Sequence, residues 1–211
     1  MKSLRDQGYR PRTRLGGHLP NPPFFGMLLG VALWVLSVAS PVLADSTRWQ
    51  VVPGESRISF SGEHAGNKFK GTFGTWDAVI AFDPADLAGS KATVTIALAS
   101  AKTGDITYDK TMPTADWFDV AHGPTAVFET TAFRAKGSDA YEADATLSMR
   151  GLKVPVVFAF TFKADGDHAS LAGSAKLKRL DFGIGRGSDG DGSWVSLDIP
   201  VEVGVLMTRA P

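Results

Sequence analysis

Cysteine is missing altogether from this 211-residue chain. That absence excludes thiolate catalysis, thiol redox chemistry, and zinc or iron–sulfur centres held by cysteine. It also means that an exported fold must be held by packing, because no disulfide can reinforce a weak core. Histidine is scarce too: His18 falls in an N-terminal leader, and His64, His122 and His168 stand far apart without ligand spacing, so no metal site is read from them. No serine sits in a Gly-x-Ser-x-Gly elbow. After residue 45 there is no convincing helical period, no internal repeat, no low-complexity tract and no basic patch. The densest basic group, Lys176, Lys178 and Arg179, is accounted for by a solvated strand face, and nucleic acid is not an expected partner.

What is present begins with a leader. Lys2, Arg5, Arg10, Arg12 and Arg14 precede an almost wholly apolar run from Phe24 to Ala39, and Val42 and Ala44 then occupy the small-residue positions of a cleavage site. Basic, apolar, then small is the order of a secretory signal. The run is short for a bilayer span and is interrupted by Gly26, Gly30 and Ser37. Residues 1–44 are therefore expected to be removed after Ala44, leaving one domain over 45–211 in a periplasmic or secreted setting. Removal takes Lys plus Arg from 22 to 17 and Asp plus Glu from 22 to 21, so the remainder carries about −4.

The rest alternates as strands do. Val156, Phe158, Phe160 and Phe162 share one face, opposite Val157, Ala159, Thr161 and Lys163. Further strands are read at Trp49–Val52, Arg57–Ser61, Phe69–Phe73, Ala78–Phe82, Lys91–Ala99, Thr125–Arg134, Tyr141–Met149, Ser170–Phe182 and Trp194–Met207. In the last of these, Val195, Leu197, Ile199, Val201, Val203 and Val205 fall on one side, and Pro200 calls for a bulge or an unpaired edge. Asp83-Pro-Ala-Asp-Leu87 reads as a strand stop with a short helical turn. Residues 101–123 do not alternate; they read as one or two short helices across a barrel end.

Several blocks occur in one order: Trp49-Gln-Val-Val-Pro53, Ser56-Arg-Ile-Ser-Phe60, Phe69-Lys-Gly-Thr-Phe73, Ile80-Ala-Phe-Asp-Pro84, Asp116-Trp-Phe-Asp119, Pro124-Thr-Ala-Val-Phe128, Leu147-Ser-Met-Arg-Gly151, Pro155-Val-Val157 and Lys178-Arg-Leu-Asp-Phe-Gly-Ile-Gly185. Together they resemble the YceI-like, polyisoprenoid-binding domains. That resemblance implies an all-β fold, an extended eight-stranded antiparallel barrel similar to lipocalins. It implies a lumen that holds an isoprenoid lipid or quinone, and a periplasmic or secreted location. No catalytic cofactor is expected, and transient membrane contact fits a lipid ligand.

On that reading Phe60, Phe69, Phe73, Phe82, Phe128, Phe158, Phe160 and Phe182 either line a lumen or pack solidly against one another. Trp117 and Phe118 either lid the open end or plug the bottom. Arg150, Arg179 and Asp181 are head-group candidates, although an Arg–Asp pair tying two strands together explains them as well. Lys176, Lys178, Leu180 and Phe182 share a face by strict alternation, which leaves the inward side near 176–182 open. Asp189-Gly-Asp191-Gly lacks the downstream Glu of a calcium loop and reads as a solvated hairpin turn. Gly183, Gly185 and Gly187 resemble a phosphate-cradling loop without the helix that would follow. An enzyme reading would rest on Asp105, Asp109 or Asp116 as acid or base. A solid-core docking domain is the other rival.

Overall fold

In the computed structural model, which describes residues 47–211, the period-2 pattern is realised as one closed antiparallel sheet. The leader and the cleavage position after Ala44 lie outside the described residues. The strands are β1 (Arg48–Val51), β2 (Arg57–His64), β3 (Asn67–Phe73), β4 (Trp76–Ala81), β5 (Lys91–Ala97), β6 (Ala101–Lys102), β7 (Thr125–Ala135), β8 (Ala140–Met149), β9 (Leu152–Asp165), β10 (His168–Lys178) and β11 (Asp198–Arg209). One helix, α1 (Ile106–Thr111), lies between β6 and β7. Three pairs among these are single long strands, each broken once: β1 with β2, β3 with β4, and β5 with β6. Counted that way, eight strands meander in sequence, and the ring closes where β11 pairs with β1, Trp49 opposite Arg209.

Local chemistry explains the breaks. Pro53 starts a 3-10 turn over Pro53–Glu55, and the Ser56 hydroxyl then accepts from the Leu206 amide at 3.0 Å, occupying the place the ladder has lost. Gly74 and Thr75 interrupt the next strand, while Leu98–Ser100 forms a 3-10 turn in the third. The Gly74 amide donates to the Ser100 carbonyl and the Ala97 amide to that of Thr75, so these two breaks satisfy each other.

Several expectations need correction. The final strand begins at Asp198, not Trp194, and Leu197 is 42 % exposed because it precedes the ladder. The β10 strand stops at Lys178, where a 3-10 turn over Arg179–Phe182 replaces alternation. Lys176 and Lys178 therefore face out, whereas Phe182 is buried. Residues 83–89 make successive turns and no helix. Pro200 stays in register with Lys176. By alternation with Leu206, its nitrogen faces the β2 side, where pairing ends at Val201 opposite Phe60. That is the unpaired edge a proline requires.

The barrel is solid at one end. Phe82, 2 % exposed, sits among Phe133, Tyr141, Phe160 and Phe162 with ring centroids 4.8–5.5 Å away. Trp49 meets Phe162 edge-on and donates from Nε1 to the Phe82 carbonyl at 2.9 Å. The opposite end carries the two long connections, 103–124 and 179–197. Replacing Phe82 by alanine empties the centre of the solid end and is expected to cost about 3–5 kcal/mol. Thermal unfolding should show this as a fall in Tm on the order of 10 °C.

Candidate functional site

Between the solid end and the long connections lies a hollow of about 460 Å³. Its walls come from every long strand. Phe60, Phe69, Phe73 and Phe82 line it from the first two, Phe128 from β7, and Phe158 and Phe160 from β9, with Phe182 entering from the 3-10 turn. All eight phenylalanines read from the sequence as lumen candidates thus border one space. Phe133 borders it as well. Strict alternation would send Phe128 and Phe133 to opposite faces. A register shift between Thr130 and Ala132, where the β7–β8 ladder bulges, lets both point inward.

So many rings leave room because three of them lie flat against the wall. Phe60 is directly opposite Gly71, Phe69 opposite Gly62, and Phe160 opposite Gly173. A Cβ on Gly71 would come within 2.3 Å of the Phe60 ring, one on Gly62 within 2.7 Å of the Phe69 ring, and one on Gly173 within 2.4 Å of the ring of Phe158, two residues before Phe160 on β9. Each glycine makes space for the ring that lies over it, Phe60, Phe69 or Phe158. Without that space the ring would have to swing into the hollow.

Trp117 and Phe118 also border the hollow, in the end formed by the long connections, facing the Phe82 floor from across the lumen. They pack with Leu98, Leu147, Met149, Phe182 and Ile184. Together these side chains form a cap over that end.

Two of the three proposed head-group residues, Arg150 and Arg179, serve this cap. Arg150 occupies the β8–β9 hairpin with a positive φ of 55°, followed by Gly151 at 75°. From there its guanidinium donates to the carbonyls of Ala115 (2.7 Å), Trp117 and Phe182 (3.1 Å), binding the 112–122 segment to the hairpin. Asp181 is exposed and lies off the lumen lining. Arg179 does reach the lining, yet it is only 2 % exposed and all three of its nitrogens are engaged. Nε donates to Ser196 O (3.2 Å) and Nη1 to Ile184 O (2.8 Å). Nη2 donates to Asp189 O (2.7 Å), Asp189 Oδ2 (2.6 Å) and Val195 O (3.0 Å). The Trp117 ring lies 5.9 Å from its guanidinium carbon.

The ionic partner of Arg179 is therefore Asp189, not Asp181. The turn read as solvated holds a buried carboxylate. Burial pushes the Asp189 carboxyl up, but amides from Trp194 (3.0 Å) and Val195 (2.8 Å), the Arg179 charge and the Ser193 hydroxyl together hold it below the ordinary value. The glycine loop does cradle an anion, and the anion belongs to the protein. Asp116 Oδ1 accepts from the Gly187 amide (2.8 Å), and Oδ2 accepts from the Ser188 amide (2.9 Å) and hydroxyl (2.6 Å). The Ser188 hydroxyl is the chief cause of the lowered Asp116 pKa. Of the other carboxylates considered as acid or base, Asp105 caps α1 by accepting from Thr107 and Tyr108 amides, and Asp109 accepts from Thr103 N and Oγ1. None of the three lines the hollow.

The sequence reading gave His64 no role. It stands on the rim of the hollow at the end of β2, with Nδ1 2.8 Å from the Tyr108 hydroxyl on α1. The partners are 44 residues apart in sequence, and no local pattern marks them.

Eight antiparallel strands around an apolar hollow, solid at one end and capped at the other, define an up-and-down barrel with a lumen. The chain belongs to the YceI-like domain family, whose model matches residues 49–206. A UPF0312 protein of Azotobacter vinelandii is 32 % identical over 191 residues, covering 83 % of this chain and 98 % of that one. A UPF0312 protein of Vibrio cholerae is 30 % identical, with 69 % and 79 % covered. Among solved structures, Burkholderia cenocepacia BcnA matches with a TM-score of 0.71 at 27 % identity, over 74 % of this chain and 99 % of that chain. A polyisoprenoid binding domain from Saccharophagus degradans matches with a TM-score of 0.62 at 14 % identity, over 78 % and 99 %, a likeness of fold alone.

Replacing Asp189 by alanine strands a buried guanidinium and is expected to cost about 3–5 kcal/mol, read from denaturant unfolding. The depressed carboxyls also give stability a sign with pH. Asp116 and Asp189 titrate below the ordinary value of 3.8, so the folded chain binds fewer protons than the unfolded chain in mild acid. Their contribution is complete above that value and disappears as pH falls through the lower folded-state values. Chemical unfolding at stepped pH should show the midpoint falling on acidification, less steeply in Asp116→Asn.

Proposed function

We propose that this protein is an exported, non-catalytic binding protein that holds a polyisoprenoid or isoprenoid quinone in its lumen as carrier, reservoir or scavenger. The observation that carries the reading is the apolar hollow of about 460 Å³, within the size range of small-molecule sites. A solid-core domain would have filled that space; here glycines beneath three rings keep it open. A hydrocarbon tail gains about 0.8 kcal/mol for each CH₂-sized group buried, so ten groups offer about 8 kcal/mol before ordering costs. That is micromolar-scale gross binding from the hydrophobic effect alone. The name of the Saccharophagus degradans domain, polyisoprenoid binding, agrees with a long-chain guest.

Export rests on the leader: five basic residues, the Phe24–Ala39 apolar run, and cleavage after Ala44. A tail-bearing ligand also favours brief contact with the membrane that supplies it.

Protein purified from its native source should release a stoichiometric isoprenoid lipid on organic extraction, identified by mass spectrometry. Phe158→Asp, which puts a charge on the wall, should abolish that loading while circular dichroism still reports a β fold. Lipid-free native protein, or unchanged loading in folded Phe158→Asp, overturns the reading. Intact mass should place the N-terminus of the exported form at Asp45; a retained leader overturns cleavage.

A further inference from the structure

Polar groups are few on the lumen lining, and they gather where α1 crosses the end of β2. His64 and Tyr108 both border the hollow there, half-buried, with imidazole and phenol edge to face at a centroid distance of 5.4 Å. Phe69 and Trp194 flank the pair. One hydrogen bond joins them, His64 Nδ1 to the Tyr108 oxygen at 2.8 Å. A neutral imidazole carries one N–H and a phenol one O–H, so a single bond uses only one of two donors. When the phenol donates, Nε2–H is left over; when Nδ1–H donates, the phenol O–H is left over. In either tautomer the rim presents one donor that no other hydrogen bond engages.

Two of the three neighbouring threonine hydroxyls have local partners, and the third, on Thr107, belongs to an exposed residue. Thr103 Oγ1 donates to Asp109 (2.9 Å) and accepts from the Asp105 amide (3.1 Å), and Thr111 Oγ1 donates to Thr107 O (2.8 Å). The charge inventory is equally specific. Among the described residues lining the hollow, Arg179 is the one fixed cation, and Asp189 with four backbone carbonyls engages it. No carboxylate among the described residues lines the hollow. A phosphate drawn into the hollow would lose hydration without meeting an unengaged cation of the lining. A neutral carbonyl would meet a waiting donor.

Building on the lumen reading, we infer that the His64–Tyr108 pair is the head-group site, and that it selects an uncharged, carbonyl-bearing head such as a quinone over a phosphorylated polyprenol. This separates two ligand classes that the hydrophobic wall treats alike.

Three probes with the same ten-carbon isoprenoid tail decide it: a benzoquinone, a diphosphate and the headless hydrocarbon. Each is titrated into the delipidated protein at pH 8, with native mass spectrometry as readout. The quinone is expected to bind at least about tenfold tighter than the diphosphate, a comparison that requires no variant to fold. Tyr108→Phe or His64→Leu alone leaves one donor standing and should weaken the quinone less than about threefold. The two together should weaken it about tenfold and leave the hydrocarbon unaffected. Diphosphate binding as tight as quinone, or a folded double variant with unchanged quinone affinity, overturns the inference. Hydrocarbon binding with indifference to the head would sink this inference and spare the lumen. Failure of all three probes to bind would sink both.

Discussion

A guanidinium with almost no solvent contact exists only if the protein supplies acceptors for it, and Arg179 draws its acceptors from one connection. Ser196, Val195, Asp189 and Ile184 are all in the 183–197 stretch that leads from β10 to β11. That stretch has little regular structure of its own, so the charge at its centre determines its path. Once it is placed, the amides of Gly187 and Ser188 face Asp116 and draw the 112–122 segment inward. Trp117 is then held beside the Arg179 guanidinium, and Gly185 must be glycine because a Cβ there would sit 2.8 Å from Arg179 Nη1. The cap is thus a polar construction that fixes an apolar inner surface.

This division of labour separates the barrel's two ends. The end with Trp49, Phe82 and Phe162 is stabilised by ring-on-ring packing and requires no charge. The capped end uses two arginines, Arg150 and Arg179, to tie carbonyls that irregular segments leave without ladder partners. The hollow lies between them because neither mechanism fills the middle: side chains there lie along the wall.

Much of the barrel was legible in the sequence, for physical reasons that can be named. In β8 every second residue from Tyr141 to Met149 is buried, and in β9 the face of Val156, Phe158, Phe160 and Phe162 points inward, because regular strands convert period two directly into sidedness. The reading failed where the backbone departs from that rule. Phe133 was missed because a bulge shifts parity, and Phe182 was ambiguous because a 3-10 turn does. Leu197 was turned the wrong way because the strand begins only at Asp198, beyond it. Within the site, the aromatic wall could be read strand by strand. The Arg179–Asp189 pair and the His64–Tyr108 contact could not, because each depends on where an irregular connection travels.

The closure of the ring has a consequence in time. Each strand from β7 to β10 pairs with neighbours adjacent in sequence, but β11 must join β10 on one side and both β1 and β2 on the other. Trp49 meets Arg209 across 160 residues of chain, a contact that arrives late by its loop entropy alone. Until the twelve residues of β11 have docked, the sheet is an open trough and encloses nothing. The hollow is therefore enclosed only after β11 has docked, and reopening it need not unfold the whole wall if the last-formed seam is the first to part.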